Sequence, residues 1–162
     1  MSADIAKMYR QIWVHPDDTG LKRILWKSTP TQPLITYELN TVTYGTASAP
    51  FLATKCLQQL FDDEAGNYPE AAKRAKDGFY VDDLITGTDE VDVALSLQRD
   101  LIDMLRKGGF TLRKWSSKHP ALLKHLAPED VEKNLLANVG NEGVIKALGF
   151  FLNLYNRQTD VL

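Results

Sequence analysis

Three segments near the start of the chain carry the residue pattern of strands. Apolar and polar residues alternate over 11–14, and branched or aromatic residues are frequent in 21–26 and 35–44. Loops with Pro, Gly or Thr separate them at 16–20 and 29–31. Alternation with period two and branched side chains favour strands, so the pattern predicts an early antiparallel group of strands.

The middle of the chain changes to helical spacing. Ser48 is a suitable N-cap and Pro50 fits a first helical turn. Two adjacent rows follow at four-residue spacing, and they are Leu52, Cys56 and Leu60 beside Ala53, Leu57 and Phe61. We expect this helix to bury a broad face that includes the Cys56 thiol, and to end by Gly66.

Two further helices are bounded by their start and stop signals. Pro69 opens a short helix that stops near Asp77 and Gly78. Asp89 and Glu90 begin a long amphipathic helix that Gly108 and Gly109 end. These start and stop signals predict two separate helices.

Short strand-like runs complete the pattern. Segments 79–81 and 84–86 are separated by two residues, Asp82 and Asp83, which is hairpin spacing. Segment 110–115 favours a strand, short helical pieces begin at Pro120 and Pro128, and 144–152 favours one buried strand. Strands and helices that alternate irregularly predict an α+β fold.

Composition limits what such a fold can do. The chain has 162 residues, of which 44% are apolar and 25% charged, which is typical of one soluble globular domain. A net charge of −2 argues against a free-standing nucleic-acid binder driven by charge alone, so any such contact must be local. One basic cluster is either a solvated face or a phosphate contact, and it comprises Arg106, Lys107, Arg113, Lys114, Lys118 and Lys124. The chain has no long apolar run and starts without a signal sequence, so no membrane span and a cytoplasmic location are expected.

Adjacent aspartates occur three times, but only Asp82-Asp83 lies between two strand-like runs. A two-residue hairpin loop favours Asn-Gly or Asp-Gly, so a second aspartate predicts strain there. Two adjacent carboxylates repel each other unless divalent cations and a third oxygen ligand compensate. From the residues alone, an acidic solvent-facing turn is the better-supported interpretation, and a metal site is the alternative.

Other chemistries find little support in the sequence. His15, His119 and His125 lack the spacing of zinc ligands, and no Cys or His cluster accompanies them. No glycine-rich phosphate loop ending in Gly-Lys is present. The aspartates therefore remain the main candidates.

The hairpin stretch Phe-Tyr-Val-Asp-Asp-Leu at 79–84 resembles the Tyr-x-Asp-Asp motif of reverse transcriptases. Residues 4–12 resemble the first palm motif, residues 44–51 the second and residues 109–115 the fourth, in the order of that family. Residues 146–150 are similar, more loosely, to the primer-grip strand. The amino-acid sequences of these stretches most resemble those of BEL/Pao-type retrotransposons. Together the stretches cover most of the chain.

This resemblance implies a polymerase palm, with a mainly antiparallel sheet of ferredoxin-like core, helices on one face and the carboxylates on the other. It implies a single palm domain over 1–162, with 153–162 unassigned. Two Mg²⁺ ions, which Mn²⁺ can replace, would be held by Asp4, Asp82, Asp83 and the backbone carbonyl of Ile5. Asp4 and Asp82 would be the principal ligands.

The resemblance also implies roles for residues around the metals. Tyr9 would lie under the incoming sugar, and Tyr44 with Gly45 would form the floor beneath the nucleotide. Tyr80 and Val81 would face the primer end, and Lys114 would donate a proton to pyrophosphate. Each has a plainer interpretation as a core aromatic, a strand end or a solvated lysine.

The implied function is RNA-directed DNA synthesis, in which a primer 3′-hydroxyl attacks a dNTP on an RNA or DNA template. The family's fingers, thumb, ribonuclease H and integrase domains are not matched, so we expect a fragment that polymerises slowly or not at all alone. Asp4 has a short strand before it and is expected to fray. Two alternatives stay open, a non-catalytic retrotransposon remnant and an RNA-binding module of ferredoxin-like fold.

Overall fold

The computed structural model describes residues 1–132 and, beyond them, the backbone of three strands at 144–147, 150–153 and 159–160. The chain forms two compact units. One consists of Lys7–Cys56 and is called the hairpin unit; the other combines Met1–Ala6 with Leu57–Leu162 and is called the sheet unit.

Both units contain strands and helices. The strands are β1 Ser2–Ile5, β2 Arg23–Trp26, β3 Ile35–Glu38, β4 Phe79–Tyr80, β5 Asp83–Ile85, β6 Leu112–Ser116, β7 Val144–Ala147, β8 Phe150–Asn153 and β9 Thr159–Asp160. The α-helices are α1 Pro16–Thr19, α2 Ala49–Asp63, α3 Pro69–Gly78 and α4 Val91–Lys107. Short 3₁₀ turns lie at Met8–Gln11, Pro120–Leu122 and Pro128–Asp130.

The sheet unit is built on four strands in the order β4-β5-β1-β6, and every neighbouring pair is antiparallel. Helix α3 precedes β4, and α4 connects β5 to β6. Helices combined with an antiparallel sheet confirm the predicted α+β class.

One face of this sheet belongs to the core. Ala3 and Ile5 of β1 are buried while Ser2 and Asp4 between them are partly exposed, as the period of two requires. Ala3 lies opposite the fully buried Leu84 of β5. Helices α3 and α4 contact each other, and their buried residues complete this core; they include Ala71, Ala75, Leu101, Met104 and Leu105. Each fully buried large apolar side chain contributes about 1.5–3 kcal/mol, so this layer fixes which face of the sheet stays open.

The predicted bounds of α3 and α4 are confirmed. Pro69 occupies the first turn of α3, and α4 ends at Lys107 directly before Gly108. Helix α3 ends at Gly78 and β4 begins at Phe79 without a loop. A Cβ at Gly78 would lie 2.7 Å from the carbonyl oxygen of Ile85, so a close backbone approach fixes the helix end against β5.

The prediction that α2 buries two rows is wrong. Its buried residues form one row at four-residue spacing, namely Ala49, Ala53, Leu57 and Phe61. Only one narrow stripe of the helix is covered. Leu52 and Cys56 lie outside that stripe and are exposed. Cys56 is therefore not a core thiol, although partial desolvation still raises its pKa.

In the hairpin unit, β2 and β3 pair in antiparallel register from Arg23 opposite Glu38 to Trp26 opposite Ile35. This pairing confirms two of the predicted early strands, although β3 ends at Glu38 and not at residue 44. Segment 11–14 contributes only an isolated antiparallel bridge between Trp13 and Thr41. All eight residues of β2 and β3 are exposed.

The single strand predicted at 144–152 is instead two antiparallel strands, β7 and β8, and β8 also pairs with β9. Residues 148–149, within the predicted primer grip, and most of the unassigned segment 153–162 lie outside the described residues. Among helices in the described part of the chain, none combines the length and apolar character needed to cross a bilayer.

Candidate active site

Two of the predicted carboxylates lie opposite each other in the sheet unit. Asp4 of β1 pairs with Asp83 of β5 in antiparallel register, on the face away from Ala3 and Leu84. Residues directly opposite in such a pair have Cβ atoms about 4.5–5.5 Å apart. Like charges at this separation are destabilising unless a cation lies nearby. The site is therefore a place where positive charge is favourable.

The hairpin loop between β4 and β5 differs from the prediction by one residue. The loop is formed by Val81 and Asp82, while Asp83 belongs to β5. This register pairs Phe79 with Leu84 and lets the Phe79 ring stack on Phe61 with centroids 5.7 Å apart. A shift of one residue would move these apolar side chains to the open face, so the core sets the register.

Backbone strain in this loop falls on Val81 and not on the aspartates. Val81 has a φ of 56°, a conformation that is rare for a β-branched residue. Such strain costs about 1–3 kcal/mol and persists only where the surrounding structure imposes it. Pairing on both sides of the loop imposes it here, because Asp83 pairs with β1 and Tyr80 with Asp83.

Asp82 is tied to the strand that carries Asp4. Its backbone oxygen accepts a hydrogen bond of 2.9 Å from the backbone N–H of Ile5. Ile5 itself is buried, and this bond uses its N–H; the role predicted for its carbonyl oxygen remains a prediction. All three aspartates thus belong to adjacent backbone segments at one end of the sheet.

Lys114 of β6 brings a cation to this cluster. Its Nζ donates to Asp4 Oδ2 at 2.9 Å, and the Asp4 side chain is 22% exposed. The hydrogen bond to Asp4 holds the pKa of Lys114 above its ordinary value, against partial desolvation, and the charges of Asp4, Glu132 and Asp83 add to this effect. Lys114 therefore stays protonated at the carboxylates.

An irregularity in β6 allows that contact. Leu112 and Trp115 are both buried although they are three residues apart, and Arg113 and Lys114 between them are exposed. Lys114 has a φ of 52°, and the β1–β6 register shifts at this point. These are the marks of a β-bulge, which adds one residue to a strand and turns a side chain toward the other face.

The open face also carries Tyr80. It lies opposite Asp83 in the hairpin and is 67% exposed. Its neighbour Val81 is partly buried in the loop. Tyr80 thus presents an aromatic surface beside the carboxylates.

The remaining predicted residues belong to the hairpin unit. The rings of Tyr9 and Tyr44 meet edge to face with centroids 6.1 Å apart, and Tyr44 is exposed. Gly45 follows with a φ of 92°, which glycine adopts without strain. A cavity of about 330 Å³ lies beside Tyr44, and it is lined by Arg10, Leu39, Thr41, Val42, Thr43 and Tyr44. The structure thus brings Tyr9, Tyr44 and Gly45 into one neighbourhood.

The first 132 residues and the three later strands contain no cluster of three or more His, Cys, Asp or Glu side chains placed to hold one metal ion. Asp4 and Asp83 face each other, and Lys114 provides the cation seen at Asp4. Sequence reasoning missed Glu132, whose backbone N–H donates to the Trp115 carbonyl and whose charge acts on Lys114. Nothing in the weakly patterned segment after Pro128 could have indicated it.

Comparisons with known proteins do not assign the chain. No protein-family model matches it, and no curated protein matches its sequence. A proposal for the function therefore rests on the geometry within each unit and on the sequence motifs.

Proposed function

We propose that the sheet unit is the palm of an RNA-directed DNA polymerase of the reverse transcriptase type. The observation that carries the proposal is the pairing of Asp4 with Asp83 on the open face, next to the Val81–Asp82 loop. The sequence motifs that resemble this family fall on these same residues. The proposed reaction is transfer of a nucleotide from dNTP to a primer 3′-hydroxyl on an RNA or DNA template.

The order of elements supports a palm. The sheet unit runs β-α-β-β-α-β with the strand order β4-β5-β1-β6, an arrangement that agrees with the ferredoxin-like core proposed here. In this arrangement the two central strands are β5 and β1, which carry Asp83 and Asp4. Central strands are held on both sides, so the carboxylates project from the most restrained part of the sheet.

The donor atoms fit the ions that the proposal requires. Carboxylate oxygens of Asp4, Asp82 and Asp83 are the hard ligands that Mg²⁺ and Mn²⁺ prefer. The Lys114 ammonium beside Asp4 indicates that positive charge is stabilised there. A pair of bound divalent ions would lower the pKa of the primer hydroxyl and neutralise charge on the phosphates.

The chain's own residues would position the reactants. The strained Val81 and the Asp82–Ile5 hydrogen bond restrict the loop, so that the carboxylates need little rearrangement. Tyr80 offers a ring on which the primer's terminal base can stack. Lys114 supplies a protonated amine for the pyrophosphate leaving group, as expected from the sequence.

Residues of the hairpin unit would provide contacts to the nucleotide. Tyr9 and Tyr44 place two aromatic rings in contact, and Gly45 leaves the adjoining backbone open. Aromatic rings of this kind can pack against a sugar or base. We therefore keep Tyr9, Tyr44 and Gly45 as proposed substrate-binding residues.

The test is calorimetric titration of Mn²⁺ into the full chain with template-primer and dNTP, compared with the Asp82→Asn, Asp83→Asn double variant. We expect the double variant to lose about tenfold or more in Mn²⁺ affinity. The matched control is Asp17→Asn, Asp18→Asn, which removes the same charge from exposed residues of α1 and should leave Mn²⁺ affinity unchanged. Equal affinity in all three proteins would overturn the proposal. Primer extension by the chain alone should be slow or undetectable.

An RNA-binding module is the second candidate, because its four-stranded sheet also presents aromatic residues on an open face. Tyr80 is such a residue here. Asp4 and Asp83 beside it would repel RNA phosphates, which makes this candidate the weaker one. RNA binding that needs no divalent cation and is unchanged in the double aspartate variant would favour it.

A further inference from the structure

Lys114 and Asp4 form an ion pair at the candidate site. Its distance of 2.9 Å is that of a charge-assisted hydrogen bond. Arg113, the neighbour on the same strand, faces Asp4 in register but pairs with Asp130 at 3.5 Å instead. The two adjacent cations therefore have different partners, and only Lys114 reaches the site.

The backbone of β6 is distorted to make this contact. In a regular strand Lys114 would point to the opposite face from Arg113, toward the core. The left-handed conformation at Lys114 adds the extra residue of the bulge and brings the ammonium to the open face. A strained lysine held in this way indicates a role that a regular strand could not fill.

The surroundings of Lys114 allow it to leave Asp4 without losing its charge. Its side chain is 61% exposed on a flexible stem, whereas the Asp4 side chain is mostly covered. The charges of Glu132 and Asp83 also act on it and keep its ammonium protonated. The lysine is thus more exposed to solvent than the carboxylate that it neutralises.

We propose that Lys114 is an internal counterion that competes with the divalent cation for Asp4. The inference rests on the proposed function, because it assumes that Asp4 is a metal ligand. Lys114 stabilises the close pair Asp4 and Asp83 until a divalent ion binds, and then turns toward solvent. Its ammonium is thereby released for a phosphate at the moment when the metal-bound substrate arrives. Lys114 sets how tightly the site takes its metal.

The test measures Mn²⁺ affinity by calorimetry on the full chain with Lys114→Met and Lys114→Gly. Both remove the cation, and Lys114→Gly also removes the backbone strain, so it keeps the test valid if Lys114→Met folds poorly. We expect both variants to bind Mn²⁺ about tenfold more tightly than the wild type, a difference of about 1.4 kcal/mol. Lys114→Arg keeps a cation and should stay within about twofold of the wild type.

Arg113→Met is the matched control, because it removes a neighbouring cation that contacts Asp130. It should leave Mn²⁺ affinity within about twofold of the wild type. An equal gain in Arg113→Met would mean that general electrostatics, and not competition at Asp4, is responsible. A gain in Lys114→Gly alone would mean that backbone strain is responsible. Either result overturns the inference.

A second readout uses thermal unfolding. Without divalent ions, Lys114→Met should melt at a lower temperature than the wild type, since Asp4 and Asp83 then repel each other. Saturating Mn²⁺ should remove that difference. Wild-type binding that depends on Asp82 and Asp83 but is unaffected by Lys114→Met and Lys114→Gly would overturn only the role of Lys114. No dependence on Asp82 and Asp83 would overturn the proposed function as well.

Discussion

The pairings β1–β5 and β2–β3 are both antiparallel and both bring apolar residues together on one face, yet only the first buries that face. Ala3 and Leu84 are covered by the core of the sheet unit. In the hairpin, register places four apolar residues on one face, and all are exposed; they are Ile24 at 42%, Trp26 at 58%, Ile35 at 49% and Tyr37 at 45%. Apolar residues gathered on one face of a strand pair are therefore not buried by the pairing itself, because burial requires a second layer of structure.

The largest expected effect lies in the buried pairing. Leu84→Ala removes a side chain that is fully buried in β5, and it should lower the free energy of unfolding by about 2–5 kcal/mol. Urea unfolding followed by circular dichroism measures this change.

Ile24→Ala is the matched substitution in the exposed pairing. Because Ile24 already contacts water, its truncation should cost less than about 1 kcal/mol in the same urea experiment. A cost as large as that of Leu84→Ala would show that the hairpin face is covered in solution, and the contrast would fail.

An intermediate effect of opposite sign is expected at Val81. Val81→Gly removes the strain of the left-handed conformation and should raise the free energy of unfolding by up to about 1 kcal/mol. Thr36→Gly in the regular strand β3 should instead destabilise by about 0.5–1 kcal/mol. Chemical unfolding of both variants decides this point, and a loss of stability in Val81→Gly would show that the loop is not strained.

The smallest effect concerns the exposed ion pair of the hairpin. Arg23 and Glu38 lie 3.0 Å apart across β2 and β3, and both side chains are well exposed. Glu38→Gln should cost no more than about 0.5 kcal/mol at low salt. The cost should disappear in 1 M NaCl, where the screening length is about 3 Å. Thermal unfolding at both salt concentrations measures it, and a cost that survives high salt would contradict the exposed geometry.

The sequence predicted those features that depend on neighbouring residues. Pro69 and Gly108 mark helix boundaries through local backbone preference, and β2 and β3 follow from their branched and aromatic residues. The loop between β4 and β5 was misplaced by one residue because its register depends on the stacking of Phe79 on Phe61, a contact between distant residues. The exposure of Cys56 was missed for the same kind of reason, since periodicity does not tell which helical row is covered.

In the candidate site, too, local features could be predicted from the sequence and contacts between distant residues could not. Asp82 and Asp83 stand out locally as a carboxylate pair between strand-like runs, whereas Asp4 was found only through its resemblance to a palm motif. The structure adds the pairing of Asp4 with Asp83, which joins residues far apart in the chain. The bulge at Lys114 could not be predicted, because the run from Leu112 to Ser116 has no glycine or other sign of an extra residue.

The direct passage from α3 into β4 has a consequence for sequence change in this region. Because the Gly78 backbone lies against the Ile85 carbonyl, even a methyl group there would push the helix end away from the hairpin. A shift at this point would reach the loop of Val81 and Asp82 within a few residues. Gly78 is thus a position where substitution by any other amino acid should be poorly tolerated, although it carries no chemistry of its own.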